Sequence, residues 1–399
     1  MNQTTDTGIV DRAAELRAAL VTDLRAKQKI TSEVVEAAVR RVPRERFMPA
    51  GTDLDIAYGY DNSVVTKRDE HGVALSSVSA AYIQARMLEQ AELAPGMTVL
   101  EVGSGGLNAA YLAEIVGPGG RVVSVDIDPE VTDRAASLLE DNGYGSRVRV
   151  LVADAEHGVS DEGPFDAIIV TVGAWDIAPA LLDQLRVGGV IVLPLVMNAV
   201  TRTIGFRREG DHLISRSVEV AGFVPMQGDG AHPDRVFLLP DANGRHVRLL
   251  FDSGGPERLD RLDGVLAGER AELWSGVTIG NGVSFADLHL WFAWFLPGFC
   301  PVSAASPPTR APVWLPSAFG SPLVSFTALA SRTWRCGLHP RGRGSSSGRA
   351  PSAPMASGPP PRWSSRSGPG IATGAMSSPA SVTGPPTVTT AASPLTLPS

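Results

Sequence analysis

Two acids and a run of glycines carry the densest chemical signal in this chain. Glu101-Val102-Gly103-Ser104-Gly105-Gly106 places a carboxylate two positions ahead of a glycine pair. Asp126 stands about twenty residues further on, at the end of the apolar run Arg121–Val125. Glycines at this spacing let backbone approach a ligand where a side chain would block it. An acid ending the next strand is placed to accept hydrogen bonds from ribose hydroxyls.

The elements that must position these groups are legible around them. Thr98-Val99-Leu100 is an apolar run into the loop, and Ala109, Ala110, Leu112, Ala113 and Val116 recur at helical spacing after it. Gly117-Pro118-Gly119-Gly120 then turns the chain into the run that ends on Asp126. This is a strand–loop–helix–strand unit, the opening of a doubly wound sheet. A dinucleotide loop of the form G-x-G-x-x-G would need glycine where Asn108 stands. The pattern Glu-x-Gly-x-Gly is compatible with a cofactor lacking phosphate, such as S-adenosylmethionine, and it resembles motif I of the class I methyltransferases.

Later segments extend the sheet. Ile127-Asp128-Pro129-Glu130 opens a helix to about Asn142, with Pro129 in its first turn. Arg147–Val152 predicts a third strand and Phe165–Thr171 a fourth, near-continuously apolar as a strand buried on both faces should be. Pro179–Leu185 predicts a helix and Val190–Leu195 a fifth strand. Thr201–Phe206 and Leu213–Val224 predict an antiparallel pair. The expected fold class is therefore α/β: a mostly parallel, Rossmann-like sheet with antiparallel pairing at its end. Helices precede it, with Leu16, Leu20 and Leu24 on one face and Thr31-Ser32-Glu33 starting a second helix that Pro43 ends.

Several ordered motifs make the resemblance specific. Val42-Pro43-Arg44-Glu45-Arg46-Phe47-Met48-Pro49, then Ala57-Tyr58, then Ser76-Ser77-Val78-Ser79 ahead of Met87-Leu88, and finally Phe223-Val224-Pro225-Met226 look like the protein-L-isoaspartate O-methyltransferase family. The resemblance covers about Val10–Gly230. It implies an S-adenosylmethionine-dependent carboxyl methyltransferase acting on isoaspartyl or aspartyl residues of a protein or peptide. It places the cofactor on Glu101, Gly103, Ser104, Gly105, Asp126, Ile127, Asp154, Ala155 and Thr171, with Asp154 toward the adenine edge. It makes Ser79 the group that contacts the substrate carboxylate. Taken by themselves, Ser79 reads as a helix N-cap and Asp154 as a turn residue. The family's Gln-Pro after that serine is Ala80-Ala81 here, a departure that bears on the substrate rather than the reaction.

Methyl transfer to a carboxylate needs no metal and no strong base, since the nucleophile is ionised well below neutral pH. The seven His are scattered without metal-ligand spacing; His71 lies closest in sequence to Ser79. The expected methyl ester closes to a succinimide that hydrolyses to Asp or isoaspartate. Repair and peptide tailoring therefore both remain open, the second because longer relatives with a C-terminal extension modify an Asp of ribosomally made peptide precursors. An NAD-dependent oxidoreductase is disfavoured by Asn108, and a non-catalytic adaptor would bind cofactor without turnover.

Composition bounds the rest. A net charge of −7 argues against nucleic acid as a partner, and two cysteines, Cys300 and Cys336, imply no disulfide framework. The N-terminus has no secretory pattern and no apolar run spans a membrane, so a cytoplasmic protein is expected. Four segments are expected: 1–95, an N-terminal cap and substrate loop; 96–230, the cofactor-binding core; 231–300, a small accessory unit; and 301–399, a disordered tail. That tail holds 18 of the 31 Pro and eight Arg, with no Asp, Glu or Lys. Its bias is that of an out-of-frame reading of GC-rich DNA; resequencing tests this, and an uninterrupted frame to Ser399 removes the idea. In the accessory unit, Arg235–Leu239 and His246–Phe251 read as strands, Gly255–Leu273 as partly helical, and the aromatic run Phe285–Phe299 as buried.

Overall fold

The computed structural model describes residues 3–159, 161–240, 246–252, 254–255, 259–266, 271–273, 284–296 and 299–305, with short pieces at 324–325, 334–336 and 381–383. Most of the segment read as a disordered tail lies outside the described residues. Helices α1 (Gln3–Ala26) and α2 (Glu33–Arg41) open the chain. Ser32 caps α2 by accepting from the Val35 amide at 3.4 Å, with Glu33 and Glu36 in the first turn and Arg40 and Arg41 in the last. That charge order complements the helix dipole. The chain then passes through a 3-10 turn, Arg44–Phe47, into α3 (Leu54–Ala57).

A hairpin follows that the sequence reading did not contain. Strands β1 (Val64–Arg68) and β2 (Ala74–Val78) pair antiparallel, with Val64 opposite Val78. Asp69 closes the turn, its Oδ1 accepting from the His71 and Val73 amides at 2.9 and 2.7 Å. Ser79-Ala80 connects β2 directly to α4 (Ala81–Gln90).

The central sheet is built as expected from β3 (Thr98–Val102), α5 (Leu107–Val116), β4 (Arg121–Asp126), α6 (Pro129–Asp141), β5 (Val148–Val152), β6 (Phe165–Val170), α7 (Pro179–Gln184), β7 (Leu185–Met197), β8 (Val200–Glu209) and β9 (His212–Val220). In space the order is β5-β4-β3-β6-β7-β8-β9. Pairings from β5 to β7 are parallel; β8 runs against both its neighbours, and β9 returns outside it. The jump from β5 across to β6, on the far side of β3, opens a crevice at the carboxyl ends of the strands, where open α/β sheets bind ligands.

Alternation along the strands divides the core. Val99, Val122, Ala167, Ile169 and Val192 face one way, into a cluster with Leu24, Val39, Phe47, Leu88 and Leu112 of the helical side. Leu100, Val123, Ile168 and Ile191 face the other way, packing with Leu181 and Leu182 of α7. Residues such as Leu100 and Ile168 are fully buried. Each such side chain contributes roughly 1.5–3 kcal/mol of hydrophobic stabilisation.

Beyond residue 231, β10 (Arg235–Pro240) and β11 (His246–Phe251) pair antiparallel, and Val302–Ala305 adds to β11. Leu239, Leu249, Leu262, Cys300 and Val302 form a small separate cluster beneath them. Of the partly helical stretch expected at Gly255–Leu273, the described residues form a 3-10 turn at Leu259–Leu262 and an extended piece at Ala271–Leu273. The aromatic run is corrected. It forms α8 (Ala286–Phe295), but Trp291, Trp294 and Phe295 are 44%, 51% and 65% exposed. A lone helix lying against β8 near the β7–β8 turn buries a single stripe, here Ala293, held by Asn198 donating to the Ala293 carbonyl at 2.6 Å. No described helix is long and apolar enough to cross a membrane.

Candidate active site

The crevice has a floor made by the loop after β3. Gly103 has φ +96°, a conformation open to glycine and strained for other residues. A Cβ there would stand 2.3 Å from Thr171 Oγ1. At Gly105 a Cβ would meet nothing within 4 Å, so no protein atom occupies the space over it. Thr171 clamps the loop from the side, its hydroxyl donating toward the carbonyls of Val102 and Gly103 at 3.0 and 2.9 Å. Thr171 thus lines the crevice with its hydroxyl already engaged.

Asp126 is aimed by backbone. Its Oδ2 accepts from the Ser104 amide at 3.1 Å and its Oδ1 from the Asp128 amide at 3.0 Å. Burial raises its pKa, and the amides of Asp128, Ser104 and Ile127 pull it back down. Ile127 beside it is 36% exposed. Asp126, Ile127, Asp154, Ala155, Leu75, Met226 and Gln227 line one end of the crevice. Asp154 caps the short turn Ala155–His157, accepting from the Glu156 amide at 3.0 Å, while its other oxygen accepts from the Asp229 amide at 2.8 Å.

Under the loop lies Glu101, fully buried. Ser124 Oγ bridges from its Oε2 to Ser104 Oγ, the latter at 2.8 Å. Burial pushes the Glu101 pKa up to about 7; the Ser124 hydroxyl and the nearby Asn108 amide hold it down, and the Asp126 charge adds a smaller upward push. Glu101 Oε1 and Asn108 Nδ2 are both buried without a hydrogen-bond partner. Both residues line the other end of the crevice, together with Ser77, Ser79, Gln84, Gly103, Gly105, Thr171 and Phe223. The Asn108 amide is close enough to lower the Glu101 pKa, so this donor and this acceptor complement each other under the loop.

Ser79 is brought to this wall. Helix α4 starts at Ala81 with Ala80 at its N-cap and no side-chain capping bond, so the capping role open to Ser79 is not used. Ala80 and Ala81, in the place of the family's Gln-Pro, are buried in the core. His71 sits in the hairpin turn, exposed beside Glu70, and does not line the crevice. The roof comes from the segment after β9. The Gly173 amide donates to the Val224 carbonyl at 2.8 Å and the Met226 amide to the Gly173 carbonyl at 3.0 Å. This stitch holds Phe223 and Met226 over the strand ends. Trp175 stacks on His232 at 4.1 Å between ring centres, tying the rim to the chain that leaves the core.

Sequence reasoning missed Leu75, Gln84 and Gln227 as crevice residues. Gln84 had no distinctive signal, being one polar residue of α4 along with Arg86, Glu89 and Gln90. Leu75 depends on the unforeseen hairpin, and Gln227 on the course of a loop.

Comparison with known proteins agrees with this geometry. The family model described as protein-L-isoaspartate(D-aspartate) O-methyltransferase matches residues 15–231. A protein-L-isoaspartate O-methyltransferase of Hyperthermus butylicus is 37% identical over 230 residues, covering 54% of this chain and 90% of that relative. One from Methanopyrus kandleri is 41% identical over 181 residues, covering 45% of this chain and 76% of the relative. A solved protein-L-isoaspartate O-methyltransferase superposes with a TM-score of 0.50 at 24% identity, covering 59% of this chain and 84% of that one, a likeness of fold. With its crevice, its floor and its ordered motifs in place, this chain belongs to the protein-L-isoaspartate (D-aspartate) O-methyltransferase family.

Proposed function

We propose that the chain is an S-adenosylmethionine-dependent carboxyl O-methyltransferase whose substrate is an isoaspartyl or aspartyl residue of a protein or peptide. One observation carries the reading. The glycine floor and Ser79 line the same narrow cleft, so a cofactor on the floor and a carboxylate at Ser79 would be neighbours. Asp126 would hold the ribose, Asp154 and Ala155 the adenine end, and Gly103, Gly105 and the Glu101 carboxylate the amino-acid end. Bound there, S-adenosylmethionine supplies an electrophilic methyl group.

The chain's own work is then alignment and drying. A substrate carboxylate is fully ionised at neutral pH, so no residue need take a proton from it. Ser79 can donate a hydrogen bond that fixes which oxygen points inward. Phe223, Met87 and Leu107 present apolar surface around it, which keeps water out and leaves the oxygen poorly solvated. The ester so formed is open to attack by the next backbone nitrogen, giving a succinimide. Residues 231–300 are proposed as an accessory unit outside the methyltransferase core, and the cytoplasm as the compartment, on the cysteine-poor composition.

Calorimetry with S-adenosylhomocysteine and with NAD tests the cofactor class. Binding of the first alone supports the assignment, and binding of NAD alone removes it. Transfer of a base-labile methyl group to an isoaspartyl peptide tests the reaction.

A further inference from the structure

Arg44 lies in the Pro-Arg-x-x-Phe motif and has no part in the cofactor site, yet its side chain is among the largest that are fully buried, at 1% exposure. Charged side chains are almost never buried so completely without an opposite charge. Its hydrogen bonds all go to neutral groups, the Tyr111 phenol among them. Nε donates to the Ala57 carbonyl at 2.7 Å, one terminal nitrogen donates to the Ser79 carbonyl at 2.6 Å, and the other to the Gln84 side-chain oxygen. The phenol of Tyr111 is a further hydrogen-bonding neighbour and that of Tyr58 an electrostatic one, while Glu45 is taken by the Tyr58 hydroxyl. Among the described residues no carboxylate is ion-paired with Arg44.

Two of its partners belong to residues that line the cleft, Ser79 and Gln84. The guanidinium is planar, with its donors in a rigid fork. It therefore sets Ser79 and Gln84 side by side from behind, linking the end of β2 to the first turn of α4. A positive charge in this dry setting is poorly screened, so its field reaches through the one layer of residues between it and the cleft. The start of α4, immediately after Ser79, adds a partial charge of the same sign.

We propose that Arg44 is a positioning and specificity residue: the protein leaves its buried charge without a counter-ion, and the anionic carboxylate of the substrate at Ser79 is the partner that completes it. The inference rests on the functional reading above. It makes the cleft selective for a carboxylate over a neutral isostere of the same shape. A role confined to packing would favour both equally.

The test uses the full chain saturated with S-adenosylhomocysteine and two competing peptides: an isoaspartyl peptide, and the same peptide with the methyl-accepting carboxylate replaced by a primary amide. The parent should bind the carboxylate peptide about tenfold or more tightly. In Arg44→Gln the gap should close to within about threefold, through loss at the carboxylate peptide alone, with affinity for S-adenosylhomocysteine unchanged; Arg44→Lys should keep most of the gap. Equal loss for both peptides in Arg44→Gln, or an undiminished gap, overturns the proposal. Should Arg44→Gln not fold, citrulline incorporated at position 44, which keeps the planar shape and removes the charge, makes the same test. A lost preference then supports the proposal and a retained one overturns it. A parent that binds neither peptide sinks the functional reading, and this proposal with it. A parent that methylates the isoaspartyl peptide while Arg44→Gln keeps the full gap sinks the Arg44 assignment alone.

Discussion

The two ends of the crevice are built by different means. At the end proposed for the cofactor, position is fixed by backbone. Gly103 takes a conformation closed to other residues, Asp126 is held by two amides, and Thr171 clamps the loop through two carbonyls. At the end proposed for the substrate, Ser79 sits on a connection between a short hairpin and α4, and a buried side chain from 35 residues away fastens it. Rigid backbone suits a ligand that does not vary. A segment held by side chains can change its selectivity without disturbing the sheet.

That contrast can be broken by mutation, and the largest effect is expected at the floor. Gly103→Ala forces a Cβ onto Thr171 Oγ1 at a strained φ. Strain alone costs about 1–3 kcal/mol, and calorimetry should find affinity for S-adenosylmethionine reduced by about a hundredfold. Asp126→Ala removes a charged acceptor and should weaken the cofactor by about 2 kcal/mol, while Ser104 and Asp128 keep their backbone course. Cofactor affinity equal to that of the parent would contradict the placement of the ribose.

Glu101 gives the contrast a pH signature. Its folded pKa of about 7 stands above the ordinary 4.5, so the folded state keeps a proton that the unfolded state loses as pH rises through that window. Stability contributed by this proton is complete below pH 4.5 and is lost as pH approaches 7. Denaturation midpoints measured from pH 4.5 to 7 should therefore carry a falling component, on the order of 1–3 kcal/mol, that Glu101→Gln abolishes. An identical slope in both proteins would refute the assignment. The smallest effect is expected at the other end. Ser79→Ala should lower turnover on an isoaspartyl peptide by about tenfold and leave cofactor affinity within about twofold. A loss of cofactor affinity matching the loss of turnover would erase the distinction between the two ends.

The same contrast explains what could be read from the sequence. The floor is local: strand, glycines, helix and acid follow one another within Val99–Asp126, so order in the chain is order in space. The substrate wall is assembled from separated pieces. The β1–β2 hairpin bunches its apolar residues as Val64-Val65 and Ala74-Leu75 beside Thr66, Lys67, Arg68, Ser76 and Ser77, which leaves no alternation to detect. Arg44 sits in the charged run Arg40–Arg46, where an arginine reads as a surface residue; its burial depends on Ala57, Ser79 and Gln84 arriving around it. The exposed aromatics of α8 were unreadable for the opposite reason, since apolar composition does not reveal that only one stripe finds a neighbour.

The most direct test of the account is methyl transfer from radiolabelled S-adenosylmethionine to an isoaspartyl peptide by the parent protein and by Ser79→Ala. The account predicts base-labile label on the peptide, slower in the variant, with equal cofactor affinity in both. Cofactor bound but no label on any carboxylate peptide, or label that base does not release, would contradict it.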